Sequence, residues 1–170
     1  MFYQRKSLRL QNYNYSENGA YFVTICTKGK QHFFGKIKND RMYLSEYGHL
    51  AKKYWEEIPQ HFENVIIDIF VIMPNHIHGV IFLNNDISPV VDAYMRPLQT
   101  RTKEKIPLII QNFKSSITRN GKQFFPNLEF AWQRSYHDRI IRNSKELENI
   151  RDYIFNNPLN WEINAENEHH

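Results

Sequence analysis

The chain has 170 residues, enough for one domain with a sizeable core and leaving little room for a second. Its hydrophobic content of 41% is ordinary, and no apolar run approaches the roughly 20 residues that a membrane-spanning helix requires. The 22 Lys and Arg exceed the 18 Asp and Glu only enough for a charge of +4, which by itself does not demonstrate a polyanionic partner.

Cys26 is the only cysteine, so an intramolecular disulfide is excluded. The N-terminal Met1-Phe2-Tyr3-Gln4-Arg5-Lys6 leads into polar sequence and not into the apolar core of a signal peptide. The expectation is a single domain over residues 1–165 in the cytoplasm, followed by a tail at 166–170. His169 and His170 could be the stub of a purification tag and carry no metal argument.

Tyr21–Thr27 is rich in aromatic and β-branched residues and predicts a first strand. Stretches around Phe33–Ile37 and Met42–Leu44, separated by Asn39-Asp40, predict a hairpin. Ser45 stands where a helix N-cap belongs, and Leu50, Ala51, Tyr54, Trp55 and Ile58 recur at helical spacing until Pro59. Val65–Met73 reads as a second long strand, Pro74-Asn75 as a break, and His76–Leu83 as an antiparallel partner.

Residues 84–106 lack periodicity and read as a long loop, a feature usually functional or mobile. Pro107 opens a second helix with Ile109, Phe113 and Ile117 on one face and Lys114 and Thr118 turned away. Phe130–His137 predicts another strand. Asn143 or Ser144 caps a last helix containing Leu147, Ile150, Ile154 and Phe155, which Asn157-Pro158 terminates. The interleaving predicts an α+β fold, a ferredoxin-like sandwich whose antiparallel sheet carries its helices mainly on one face.

His76-Ile77-His78 is the most informative short motif. Side chains alternate along a strand, so the two imidazoles emerge on one face and make a half-site for a divalent cation. A pair of partly buried, hydrogen-bonded histidines is the plainer alternative. Tyr153 and Asn157, four apart on the last helix, share a face and could be an ordinary surface pair. If that face packs over the histidines, Asn157 offers a carbonyl oxygen as a third ligand. Such a nitrogen and oxygen set suits Mg²⁺ or Mn²⁺ better than a closed zinc site. A tyrosine beside such a cation suggests phosphoryl transfer through a covalent phosphotyrosine. No residue stands out as the base that would activate it.

Several blocks in order carry a family resemblance: Arg5-Lys6-Ser7-Leu8-Arg9-Leu10 and Tyr13-Asn14-Tyr15; Gly19–Thr27; Phe70–Gly79; Phe113-Lys114-Ser115; Trp132–Arg142; and Tyr153-Ile154-Phe155-Asn156-Asn157-Pro158. Over most of its length the chain resembles the REP-associated tyrosine transposases, a branch of the single-tyrosine HUH transposases. The resemblance implies a ferredoxin-like fold, a divalent metal on His76, His78 and Asn157, and Tyr153 as nucleophile. It also implies single-stranded DNA substrates, usually imperfect REP-like hairpins. Other branches use Gln as the third ligand, and Asn at this offset resembles the REP-associated branch. Tyr136, the rival nucleophile, falls outside the last helix.

DNA contacts are expected from Trp132, Arg134, Arg139 and Arg142, from Lys114 and Arg119 on the second helix, and from Arg5, Lys6 and Arg9 as an arm. These expectations describe a DNA transposase that nicks and rejoins single strands, as a nucleoid-associated monomer or homodimer. The competing functions are a hairpin binder that does not cut, an RNA-binding domain of the same fold and, more distantly, a zinc hydrolase.

Overall fold

The computed structural model describes residues 18–83 and 105–161. The expected basic arm of Arg5, Lys6 and Arg9, most of the long loop and the acidic tail lie outside them. In chain order the elements are β1 (Gly19–Cys26), β2 (Gly35–Lys38), β3 (Arg41–Leu44), α1 (Glu46–Glu56), α2 (Ile58–His61), β4 (Val65–Ile72), β5 (His76–Leu83), α3 (Lys105–Phe124), β6 (His137–Ile141) and α4 (Ser144–Phe155).

Four strands form one antiparallel sheet in the order β4-β5-β1-β6, and β2 and β3 pair separately as a hairpin. With that hairpin and α2 set aside, the path β1-α1-β4-β5-α3-β6 has the ferredoxin-like connectivity expected. The hairpin turns on Asn39 and Asp40, both at positive φ (49° and 58°), as a two-residue turn between twisted strands demands. The Ser45 hydroxyl caps α1 by accepting from Gly48 N at 3.1 Å.

Strand alternation divides the interior in two. Tyr21, Val23 and Ile25 of β1 and Ile77 and Ile81 of β5 face Ala51 and Trp55 of α1 and Ile109, Phe113 and Ile117 of α3 in the main core. Among the described elements the opposite face receives α4, where Ile150 and Ile154 pack on Ala20, Val80 and Ile141. Gly79 of β5 touches the main core, and a Cβ there would run into the Trp55 indole, so the residue after the second histidine must be glycine for α1 to lie this close.

β4 carries a bulge between Ile67 and Phe70, where two residues oppose Val80 alone. The bulge keeps Val65, Ile67, Phe70 and Ile72 in the main core while Ile69 packs toward α4 and Asp68 accepts from Arg151 Nε of α4 at 2.7 Å.

Two expectations need correction. The strand expected at Phe130–His137 begins only at His137. Before it, Phe130 and Trp132 are drawn into an aromatic cluster with Phe33, Phe34, Tyr47 and Phe113, and the segment touches the sheet through the single bridge Thr27–Trp132. Asn157-Pro158 does not end the helical path. Asn156 is the C-cap of α4, and one further helical turn runs over 157–161, with Pro158 tolerated in its first turn. Phe155, the remaining apolar residue of that helix, is 78% exposed.

Candidate active site

β1 and β5 pair with Cys26 opposite His76 and Thr24 opposite His78, so both histidines stand on the α4 face near one end of the sheet. Their ring centroids are 4.5 Å apart. Each ring is held through its Nδ1. The Asn75 amide donates from Nδ2 to Lys30 O at 3.1 Å, which turns its Oδ1 toward His76 Nδ1 at 2.7 Å. His76 therefore donates from Nδ1 and keeps the lone pair on Nε2.

Thr24 Oγ1 lies 2.8 Å from His78 Nδ1, a contact that orients the ring without choosing its tautomer, because a hydroxyl donates or accepts. The Pro74-Asn75 turn is itself pinned, because the backbone N and the buried hydroxyl of Thr27 both donate to Asn75 O, at 2.9 and 3.0 Å.

α4 lies across this pair. Its N-cap Asn143 accepts from Glu146 N, its isoleucines seat it on the sheet and Arg151 ties it to β4. That placement sets the Tyr153 hydroxyl 3.3 Å from His78 Nε2, with the phenol ring 5.2 Å from the imidazole. Asn157, just past the helix, is buried, and its side chain hydrogen-bonds the His76 imidazole. All four groups belong to one chain. Tyr136 stands elsewhere, its ring 5.9 Å from the Lys114 ammonium.

Burial holds the His76 imidazole down at about 4, with Asn157 opposing and Lys30 adding to the effect. Burial and the neighbouring His76 hold His78 at about 3. Both rings are thus neutral at physiological pH, the form that ligates metal. With Nδ1 of each anchored, Nε2 is the nitrogen on offer, and Asn157 adds an amide oxygen. Among the described residues no group of three or more His, Cys, Asp or Glu could hold an ion, and Asn157 is the amide beside the two imidazoles. The donors fit a hard or borderline divalent cation with open positions, not a closed zinc centre.

Sequence reasoning missed the residues framing the pair. Phe22 stacks on His78 at 5.3 Å and meets Tyr153 edge-on at 6.1 Å. Trp161, on the turn after α4, lies 5.8 Å from His76 and 5.6 Å from His32. Thr24 and Asn75 were legible only as parts of a strand and a turn. Cross-strand register alone brings Thr24 to His78.

The expected DNA-contacting residues separate into two places. Lys114, Arg119, Trp132 and Arg134 line one groove of about 640 Å³ along α3, together with Lys122 and Tyr136 and, among the described residues, with no carboxylate. Lys114, off the apolar face of α3, is half-buried. It donates to Gln133 O at 2.9 Å beneath Trp132 and Tyr136, and burial brings its ammonium down to about 8. Trp132 is partly structural, for its indole N–H donates to Lys114 O at 3.1 Å. Arg139 lies instead in a cleft beside Tyr153, paired with Glu146, and Arg142 is exposed at the entry to α4.

No protein-family model matches the chain. An uncharacterised protein of Haemophilus influenzae is 42% identical over 171 residues, covering 94% of this chain and 91% of that protein. A second Haemophilus influenzae protein, provisionally named a REP-associated tyrosine transposase, is 30% identical over 139 residues, 78% of this chain and 72% of its own length. The solved structure of a REP-associated tyrosine transposase bound to a REP hairpin superposes with a TM-score of 0.59 over 89% of this chain and 72% of that one, at 17% identity, which establishes the shared fold. No helix among the described residues is long and apolar enough to cross a membrane. The sequence relationship and the fold together place this chain among the REP-associated tyrosine transposases.

Proposed function

We propose that the chain is a metal-dependent strand transferase for single-stranded DNA, in which Tyr153 cleaves at or near an imperfect hairpin and becomes joined to the 5′-phosphate. The observation that carries the reading is the Tyr153 hydroxyl at 3.3 Å from His78 Nε2, in one chain with the Asn157 side chain on His76. In the step proposed, Tyr153 Oη forms a bond to phosphorus while the P–O3′ bond breaks. The phenolic proton passes to solvent and the departing 3′-oxygen takes one up, so no further reactant is consumed. The phosphodiester energy is conserved in the phosphotyrosine, which a DNA 3′-hydroxyl can later displace to rejoin a strand.

His76, His78 and Asn157 would hold Mg²⁺ or Mn²⁺, which when bound supplies Lewis-acid polarisation of a phosphate oxygen. Asn75 keeps His76 in the ligating tautomer, Thr24 orients the His78 ring, and α4 holds the phenol of the same chain at their mouth. The groove with Lys114, Arg119, Lys122 and Arg134 supports a nucleic-acid substrate, because four cations with no carboxylate among the described lining residues suit phosphates. A hairpin substrate is supported by the REP hairpin in the structural relative.

The test uses single-stranded DNA from the flanks of the coding region, labelled at its 3′ end, with Mg²⁺ or Mn²⁺. The wild-type protein should give an SDS-resistant labelled adduct that Tyr153→Phe loses while still binding the strand. Replacing both His76 and His78 with Ala should remove metal-stimulated cleavage. An adduct persisting in Tyr153→Phe would overturn the assignment, and hairpin binding by wild type without any adduct would leave a non-cleaving binder in its place.

A further inference from the structure

A cleft of about 650 Å³ opens beside Tyr153 between β6 and α4, and its volume lies within the roughly 300–1,000 Å³ of small-ligand sites. Its apolar lining comes from Phe22 and Ile150, and its polar lining includes His137, Asn143, Lys145 and Asn149. Lys145, Asn149 and Tyr153 succeed one another every four residues along α4, so one face of that helix presents an ammonium, a carboxamide and the phenol in line. Asn149 is exposed, one turn before the tyrosine.

The cleft differs in charge from the groove along α3. Two carboxylates, Asp138 and Glu146, line it beside Lys145 and Arg139, and Glu146 is already engaged by Arg139 and by Arg142 N at 2.9 Å. Such a mixed lining suits a neutral, hydrogen-bonding aromatic group better than a phosphate. Phe22 offers it a stacking surface and Asn149 both a donor and an acceptor. Asn143 retains its amide N–H groups, because its Oδ1 is taken by Glu146 N.

We infer that this cleft receives the unstacked base of the nucleotide immediately 3′ of the scissile phosphate and reads its edge through Asn149. The inference rests on the strand-transfer reading above, and stereochemistry selects which neighbour enters. In an in-line displacement the attacking phenol and the departing 3′-oxygen lie on opposite sides of phosphorus. The nucleoside on the 3′-oxygen therefore departs away from Tyr153, while the nucleoside on the 5′-oxygen stays tethered to it. A cleft that opens on the tyrosine serves the tethered one. Taking that base out of the stack also bares the phosphate for attack.

The test begins by mapping the adduct junction formed by the wild-type protein on the flanking-strand DNA. The strand is then remade with each base, or with an abasic residue, immediately 3′ of the junction. The abasic strand should form adduct about tenfold more slowly than the preferred base, as loss of one stacking contact predicts. Asn149→Ala, at an exposed helical position, should fold normally and flatten the discrimination between bases. In the Tyr153→Phe protein, 2-aminopurine at that position should brighten on binding, reporting the unstacked base without any chemistry. Equal rates on abasic and normal strands would overturn the cleft assignment and leave strand transfer standing. Failure of the wild type to form any adduct would overturn both.

Discussion

At the scale of single residues, the site depends on which nitrogen of each imidazole is occupied. Asn75 and Thr24 take the Nδ1 atoms, at 2.7 and 2.8 Å, so Nε2 is left to face Tyr153 on His78 and to present its lone pair on His76. Partners of this kind orient a ligating ring and raise its basicity, and their loss typically costs about 10–100-fold in metal affinity or activity. Thr24→Val keeps the shape and the strand propensity but removes the hydroxyl. Adduct formation by Thr24→Val should need about tenfold more Mn²⁺ for half-maximal rate, and Thr24→Ser, which restores the hydroxyl, should recover most of the difference. A Thr24→Val protein with an unchanged Mn²⁺ requirement would show that the hydroxyl does not orient His78.

At the scale of elements, everything turns on the seating of α4. Ile154 is 1% exposed, beside Ile150 on the small cluster of Ala20, Val80 and Ile141, and it lies one residue from Tyr153. Ile154→Ala should cost about 2–4 kcal/mol of stability, because the sheet behind it cannot collapse into the space. It should also lower adduct formation at temperatures where the fold is intact, since the phenol would lose its fixed approach to His78. Denaturant unfolding paired with activity below the transition checks both halves, and full activity in a destabilised protein would show that the tyrosine is held by something else.

Much of this arrangement was legible in the sequence because it is local. The period of two places His76 and His78 on one face, Asn39-Asp40 demands its turn, and Ser45 and Asn143 cap as their side chains dictate. What was not legible is set by distant packing. Phe130 and Trp132 look like strand residues until Phe34, Tyr47 and Phe113 claim them, and Trp161 reaches His76 only because the chain re-enters a helical turn at 157–161. The meeting of Tyr153 and Asn157 with the histidines was stated from sequence as a condition. It is met through α4 and the turn that follows it, not through one continuous helix.

At the scale of the whole molecule, the cationic groove runs along α3, which packs on the sheet face opposite α4, so the groove and the Tyr153 site belong to different elements. The two should therefore be separable. Arg119→Ala and Arg134→Ala should each weaken hairpin binding and lower the slope of log affinity against log salt by about 1, with little effect on the adduct rate at saturating DNA. Lys114 adds a pH dependence. Burial brings its ammonium down to about 8, with Cys26 the titratable neighbour that opposes the fall and with Arg119, Lys122, Arg134 and Tyr136 around the groove. Cys26 is itself held above its ordinary value by burial. The sign follows directly: Lys114 is charged below about 8 and neutral above it, so its attraction for phosphate is present at pH 7 and lost as pH rises toward 9. A bound phosphate favours the charged form and moves that midpoint upward. Hairpin affinity of the wild-type protein should fall between pH 7 and pH 9.5, and Lys114→Arg, whose guanidinium stays charged throughout, should flatten the curve. Binding measured at fixed ionic strength across that range decides the matter, and a wild-type affinity independent of pH would remove Lys114 from the phosphate contacts.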